Sequence, residues 1–527
     1  MKLLYNAQIY TLDPQRPAGS AILIGGDRVR AVADDAAPFL ELVKDAERID
    51  VGGRALIPGL TDAHIHLKHY ATGLQKVDCE TPTLAECLRR VAERARTLPP
   101  EAWILGHGWN QNEWGGAFPA ASDLDAVAPQ QPVFLTHKSL HSAWVNTAAL
   151  RQAGITAETL DPPDGTLERD EHGNPTGILF EASTLLVARF LPEPSVEQIA
   201  QAIREAQPGL WQMGLTGVHD FDQRSCFSAL QMLHQNGELG LRVIKSIPLD
   251  DLQYAVGVGL RTGFGDDFLR IGPVKAFADG ALGPRTAAMF QPYEGEADGQ
   301  GMLMLDAEEL FERGRPAVEN GLSLAVHAIG DRANHEVLNA YGQLRQVEDA
   351  THTSLRHRIE HVQLLHPQDI ARLAELGVVA SMQPIHATSD MVMADRYWGG
   401  RSVLSYAWRT QLEQGAVLAF GSDAPVESPD PFWGIHAAVT RQRGDGSPGP
   451  EGWHPAQRLT VLEALQAFTQ GAAYAAGVED RLGRLAPRYL ADLLVLDVNP
   501  FTCEPAQLRD IHPLATMVAG EWAWRGI

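Results

Sequence analysis

Short apolar runs rich in Val, Ile, Leu and Ala alternate along most of this chain with helix-length segments, the pattern that predicts parallel strands joined by helical crossovers. Eight such runs follow in order: ALIPGLTDAHIH, LTGVHDF, LRVIKSI, IGPVKAF, LSLAVHA, RIEHVQL, VVASMQP and VLAFGSD. Eight strand–helix units predict an α/β fold of the (β/α)8 TIM-barrel type. The two ends of the chain have a different texture. KLLYNAQIYTLD, AILIGGDRVRAVAD and AERIDVGGRALIP read as short strands with GG at turns, and ADLLVLDVNP and PLATMVAGEWAWRGI repeat that texture after the helical stretch LTVLEALQAFTQGAAYAAG. Both ends are therefore expected to build one small β-domain, residues 1–55 with 480–527, around a barrel spanning 56–479. An insertion at about 68–205 separates the first two barrel strands. It holds WILGHGWNQNEW, a strand-like PVFLTH and SAWVNTAAL, read as helix, so it is expected to be an ordered excursion rather than a linker.

Composition narrows the function classes. The 527 residues are 45% hydrophobic and 21% charged, which suits a globular protein with one large core and a smaller second one. Against 43 basic residues stand 66 acidic ones, a formal charge of -23 that repels phosphate backbones and anionic lipid surfaces. Nucleic-acid and membrane partners are not expected, and a small-molecule substrate is. Cys79, Cys87, Cys226 and Cys503 show no CxxC spacing, so neither a disulfide framework nor a thiolate zinc site is predicted, and a reducing cytoplasm is the expected setting. The opening MKLLYNAQIYTLD has no apolar stretch long enough for a secretion signal or membrane span. A homodimer is the expected assembly on the general frequency of twofold symmetry alone.

The candidate chemistry lies at the ends of the predicted strands. His64 and His66 in DAHIHL are two apart, so on a strand both imidazoles point to one side and can share a metal. Lys275 in GPVKAFADG, His327 in LAVHAIGD, His361 in RIEHVQ and Asp423 in AFGSDAPV close four further strands. Each alone has an ordinary reading: a buried histidine satisfied by backbone, an N-cap aspartate, or a lysine paired with Asp279 or Asp423. Together they converge, because parallel barrel strands deliver their C-terminal ends to one mouth. A lysine among cations looks out of place until burial is considered. Desolvation favours the neutral amine, which reacts with carbon dioxide to give a carbamate whose two oxygens can bridge two cations. Asp423 could bind metal, accept a proton from water, or do both.

These residues resemble the amidohydrolase superfamily, and more narrowly the amidohydrolase family 3 group that includes N-substituted formamide deformylases. PGLTDAHIHL, GHGWNQNEW, VKAFADGALGPRTAAM, AVHAIGDRAN, RIEHVQLL, ASMQPIHATSD, FGSDAPV and the closing LADLLVLD carry the likeness, from about residue 57 to 497. The resemblance implies a distorted barrel with a β-sandwich made from both chain ends. It also implies one or two divalent metals, with zinc expected: His64, His66 and Asp423 on one, His327 and His361 on the other, and carboxylated Lys275 as the bridge. Imidazole suits Zn2+, which lowers the pKa of water from about 15.7 toward about 7. Asp423 would then move the proton from the attacking water to the leaving group. Trp109, Asn110, Trp114, His141, Asp279, Arg285, Gln383, His386 and Asp390 are the expected substrate contacts.

The expected reaction is hydrolysis of a C–N amide-type bond, not a peptide bond, in a small organic substrate. Ester, lactone or cyclic-amide hydrolysis and deamination remain open alternatives, since the same attack serves any carbonyl-like carbon. A metal-holding protein without turnover is a third reading, and Schiff-base chemistry at a free Lys275 a fourth.

Overall fold

Eight parallel strands curl into an almost closed barrel in the computed structural model, which describes residues 1–42, 45–138, 142–163 and 165–526. They are β1 (Leu60–Ile65), β2 (Leu215–Asp220), β3 (Arg242–Pro248), β4 (Leu269–Phe277), β5 (Leu324–Ala328), β6 (Arg358–His361), β7 (Val379–Met382) and β8 (Leu418–Phe420), each hydrogen-bonded to the next in chain order. All eight coincide with the apolar runs read from the sequence. Every residue of β1, β2, β6, β7 and β8 is buried, as expected for parallel strands covered on both faces.

Closure between β8 and β1 comes down to the chain just beyond β8. The Asp423 amide donates to the His64 carbonyl at 2.7 Å, and the His66 amide to the Ala424 carbonyl at 2.9 Å. Close approach here requires glycine at 421, because a Cβ would lie 2.4 Å from the His64 nitrogen. Asp62 braces the same seam, accepting from the amides of His64 and Ser422, each at 3.0 Å.

The chain forms two compact bodies, Met1–Tyr70 with Ile203–Ile527, and Ala71–Ala202. In the first, residues from both chain ends pair in a six-stranded sheet that includes Ala55–Pro58, Leu493–Leu496, Pro513–Val518 and Glu521–Arg525. A four-stranded sheet formed within residues 2–50 accompanies it, and one apolar core joins Leu4, Ile22, Val29, Leu56, Leu493 and Met517. The run ALIPGLTDAHIH is thus two strands, not one. Pro58 and Gly59 break it, sending Ala55–Pro58 to the terminal sheet and Leu60–Ile65 to the barrel.

One buried ion pair fixes terminal sheet to barrel within this body. Arg242, opening β3, donates to both carboxylate oxygens of Asp492 at 2.6 and 2.9 Å, with both residues nearly inaccessible. Removing one partner strands the other charge, so Asp492→Ala should lower the unfolding free energy by about 3 kcal/mol. Urea denaturation would read this as an earlier midpoint, and an unmoved midpoint would show the pair to be dispensable.

The second body carries its own six-stranded sheet and a core containing Cys79, Cys87, Trp109, Trp144 and Ile178. Here SAWVNTAAL departs from its helical reading. Ser142–Val145 is a buried strand, and Asn146 ends it by accepting the Ala149 amide at 3.0 Å, starting a helix only at Thr147. The four cysteines are free thiols. No helix among the described residues is long and apolar enough to cross a membrane.

Candidate metal centre

Two groups of side chains that could each hold a cation meet at Asp423: His64 with His66, and His361 with His386. Within each group the ligand atoms lie within 4.8 Å of one another. Asp423 Oδ1 stands 3.5 Å from His64 Nε2 and 3.4 Å from His66 Nε2, and Oδ2 stands 4.0 Å from His386 Nε2. The backbone is contorted to achieve this. His361 (φ 79), Val362 (φ 45) and Asp423 (φ 61) all occupy left-handed space, an arrangement that surrounding structure must impose on a β-branched valine.

Hydrogen bonds on the far side of each ring decide which nitrogen is left for a ligand. His64 Nδ1 donates to Glu360 Oε2 at 2.6 Å, His66 Nδ1 to Asp222 Oδ1 at 3.1 Å, and His361 Nδ1 to Gln383 Oε1 at 2.8 Å. In the neutral ring each Nε2 therefore keeps its lone pair, although, against burial, Asp222 and Asp423 raise the pKa of His66, so that a cation there would have to displace a proton. Burial and nearby cations hold His64 and His361 well below the usual imidazole pKa, so both are neutral and able to bind metal. The Nε2 of His386 is buried with no hydrogen-bond partner, which an unpaired polar atom tolerates poorly unless a ligand completes it. This donor set fits a divalent cation.

Lys275 reaches the same place from β4. Its Nζ lies 4.7 Å from the Phe221 ring centre and 4.9 Å from that of Phe277, and among the described residues it has neither ion pair nor hydrogen bond. The ion pairs with Asp279 or Asp423 weighed on the sequence are absent. Burial pushes its pKa down to about 8 against the pull of Glu360 and Asp423. His327 meets His361 edge to face with ring centres 4.6 Å apart but belongs to neither cation group, its Nε2 lying 2.9 Å from the Gly280 carbonyl.

A model of the amidohydrolase family matches residues 47–523. The chain belongs to the amidohydrolase family. It is 33% identical to YtcJ of Bacillus subtilis (strain 168) over 90% of each chain. The N-substituted formamide deformylase of Arthrobacter pascens is 29% identical, with 98% of this chain and 97% of that one aligned. An uncharacterised metal-dependent hydrolase from Pyrococcus furiosus superposes with a TM-score of 0.79 at 30% identity, covering 95% of this chain and 100% of its own. This amidohydrolase is accordingly a metal-dependent hydrolase, and the family implies a divalent metal.

The structure sorts the expected substrate contacts of the amidohydrolase by what each touches. Asp279 gives its carboxylate to the amides of Ala288, Ile329 and Gly330 at 2.9, 3.0 and 2.8 Å, which makes it an anchor for two loops. Burial nevertheless pushes its pKa up to about 7. Arg285 is exposed and paired with Glu296, and Asp390 accepts from the Tyr406 hydroxyl. Gln383 orients His361 rather than lining open space, while His386 joins the cation group. Trp109 is fully buried in the core of the Ala71–Ala202 body, its indole N–H donating to the Leu135 carbonyl, and Trp114 donates to that of Thr81. Asn110 lines a small cavity of that body with Glu80 and Lys138. His141 lies outside the described residues.

Three site residues escaped the sequence reading. Glu360 and Asp222 orient His64 and His66, and His69 hydrogen-bonds Asp222 while lining, with His66, Phe221, Lys275 and Phe277, a cavity of about 380 Å3. Asp222 also accepts the Lys68 amide, and its hydrogen bonds from His66 and His69 keep it ionised against the effect of burial. Asp222→Asn should weaken metal binding about 10- to 100-fold, measured by competition with a chelator. Unchanged metal affinity would mean that Asp222 merely ties the loop.

Proposed function

We propose that the chain hydrolyses a C–N bond other than a peptide bond in a small organic substrate, at a zinc centre bridged by carboxylated Lys275. His64, His66 and Asp423 would hold one cation, and His361 with His327 or His386 the other. A divalent cation held there would supply Lewis acidity, polarising a carbonyl group and acidifying water. The observation that carries the reading is the unpaired amine of Lys275, buried beside neutral histidines and open to the cavity of about 380 Å3. A structural metal site needs neither such a cavity nor a proton acceptor beside its ligands.

The chain's own part in the reaction follows from its geometry. Phe221 and Phe277 give the cavity apolar walls that favour an organic substituent over bulk water. Asp423, whose pKa burial raises, would take the proton of the attacking water on a carboxylate oxygen and return it to the departing nitrogen. The likeness to the formamide deformylase favours an N-substituted formamide as the first substrate to try.

The test is removal of metal by chelation, reloading with Zn2+, and a panel of N-substituted formamides, other amides, cyclic amides, esters and lactones. Zinc-restored turnover with amides preferred is the expected outcome. Preference for esters or lactones would move the reaction to C–O bonds, and no turnover of any member would remove the amidase reading.

A further inference from the structure

The helices α1 (Pro384–Trp398), which also carries His386, and α2 (Pro431–Thr440) flank a second cavity of about 190 Å3 that the proposed hydrolysis does not use. Thr388, Ser389, His436, Arg443 and Arg509 contribute polar lining, together with one carboxylate, Glu427. In a chain with a formal charge of -23, two guanidinium groups sharing one cavity would ordinarily each find a carboxylate. Among the described residues neither Arg443 nor Arg509 has an ion pair.

Both are nonetheless held in place. Arg443 donates from Nε to the Thr388 carbonyl at 2.8 Å and from Nη2 to that of Ser389 at 3.0 Å, which leaves Nη1 without a protein acceptor. Arg509 sits over Trp433 with its central carbon 4.0 Å from the ring centre, and makes no hydrogen bond to the described residues. Contact with the ring face holds the guanidinium in place while leaving its N–H groups free to donate. Gly444 is shaped to admit it: a Cβ there would lie 1.3 Å from Arg509 Nη1. Glu427 accepts from the Ser389 hydroxyl and Asp430, which feels the charge of Arg509, from the Phe432 amide, and neither comes within ion-pair distance of the two arginines.

The geometry points to a binding site for a phosphate group between Arg443 and Arg509. A planar, preoriented guanidinium matches two oxygens of a tetrahedral anion, and two such groups from separate elements bind it more tightly than either alone. The cavity is much larger than the volume one water needs, so it admits an oxyanion together with solvent or a short organic stem. Either inorganic phosphate or a small phosphomonoester has this chemistry.

Calorimetric titration of the metal-loaded protein with inorganic phosphate, at ionic strength held constant with chloride, tests the assignment. Saturable binding is expected, weakened about tenfold or more in Arg509→Gln and in Arg443→Gln. Gly444→Ala keeps every charge but fills the space that Arg509 occupies, and should weaken binding as well. Phosphate bound at the metal centre would register as an event retained in all three variants, and kcat/KM without phosphate should be unchanged in them. Competition by glycerol phosphate would identify a carried phosphate, and its failure a free ion. Binding of equal strength in wild type and Arg509→Gln, or none in wild type, would overturn the site.

Discussion

Lys275→Ala is expected to lower kcat/KM by about a thousandfold or more and to deplete bound metal. A cation's electrostatic help is worth several kcal/mol, and every 1.36 kcal/mol is about tenfold in rate. The expectation rests on the isolation of this amine. A lysine kept for an ion pair would show the pair, whereas Nζ here lies over two aromatic rings, with Glu360 and Asp423 near enough to be felt but not within ion-pair distance. With its pKa down at about 8, about a tenth is neutral at pH 7, far more than for an ordinary lysine, and that fraction can react with carbon dioxide, forming the N–C bond of a carbamate and releasing one proton. An added short carboxylic acid such as acetate should restore part of the activity of the alanine variant by offering two oxygens in the vacated volume. The wild-type protein should show a carbamate resonance after incubation with 13C-bicarbonate, and the variant none. Full activity and metal content in Lys275→Ala would defeat the bridging role, and trapping of a carbonyl substrate by borohydride would assign Lys275 to Schiff-base chemistry instead.

The barrel was legible because parallel strands buried on both faces are continuous apolar runs, and each polar residue that interrupts one at its end stands out. His64, His66, Lys275, His327, His361 and Asp423 were found by that contrast. What it missed follows the same logic. Asp222 lies just past the end of LTGVHDF, one residue beyond the apolar run, where that contrast no longer marks it. Glu360 sits inside a four-residue strand with Arg358 rather than at a strand end, so the contrast does not single it out. Arg358 does approach Glu360, but its guanidinium also reaches His219 at 2.8 Å and the Ala63 carbonyl at 2.6 Å, a barrel-interior network that no linear spacing announces. His386 read as a substrate contact because it follows a strand by several residues. Proline at 384 starts a helix immediately, and the first turn of that helix brings the imidazole back toward Asp423. SAWVNTAAL misled because Asn146 serves both to end a strand and to cap a helix, and the sequence offers no mark at the change of period.

Asp423→Asn should lower kcat by about 10²- to 10⁴-fold, the usual worth of a positioned proton carrier, while leaving most of the metal bound. Asparagine keeps an oxygen donor at the same distance from His64 and His66 but cannot hold the proton of the attacking water. It is also one of the few residues that accepts the left-handed backbone of position 423 at little cost, so the fold and the seam between β8 and β1 should survive. Asp423→Ala removes donor and proton carrier together and adds strain, so it should lose metal as well as turnover. The comparison therefore separates two roles that lie on one carboxylate. Metal analysis beside steady-state kinetics on both variants reads the difference. An Asn variant that loses metal yet, once saturated with Zn2+, turns over at the wild-type rate would leave Asp423 a ligand only, and the proton would then have to travel by another group at the cavity, such as His69, hydrogen-bonded to Asp222 with its ring centre 5.9 Å from that of His66.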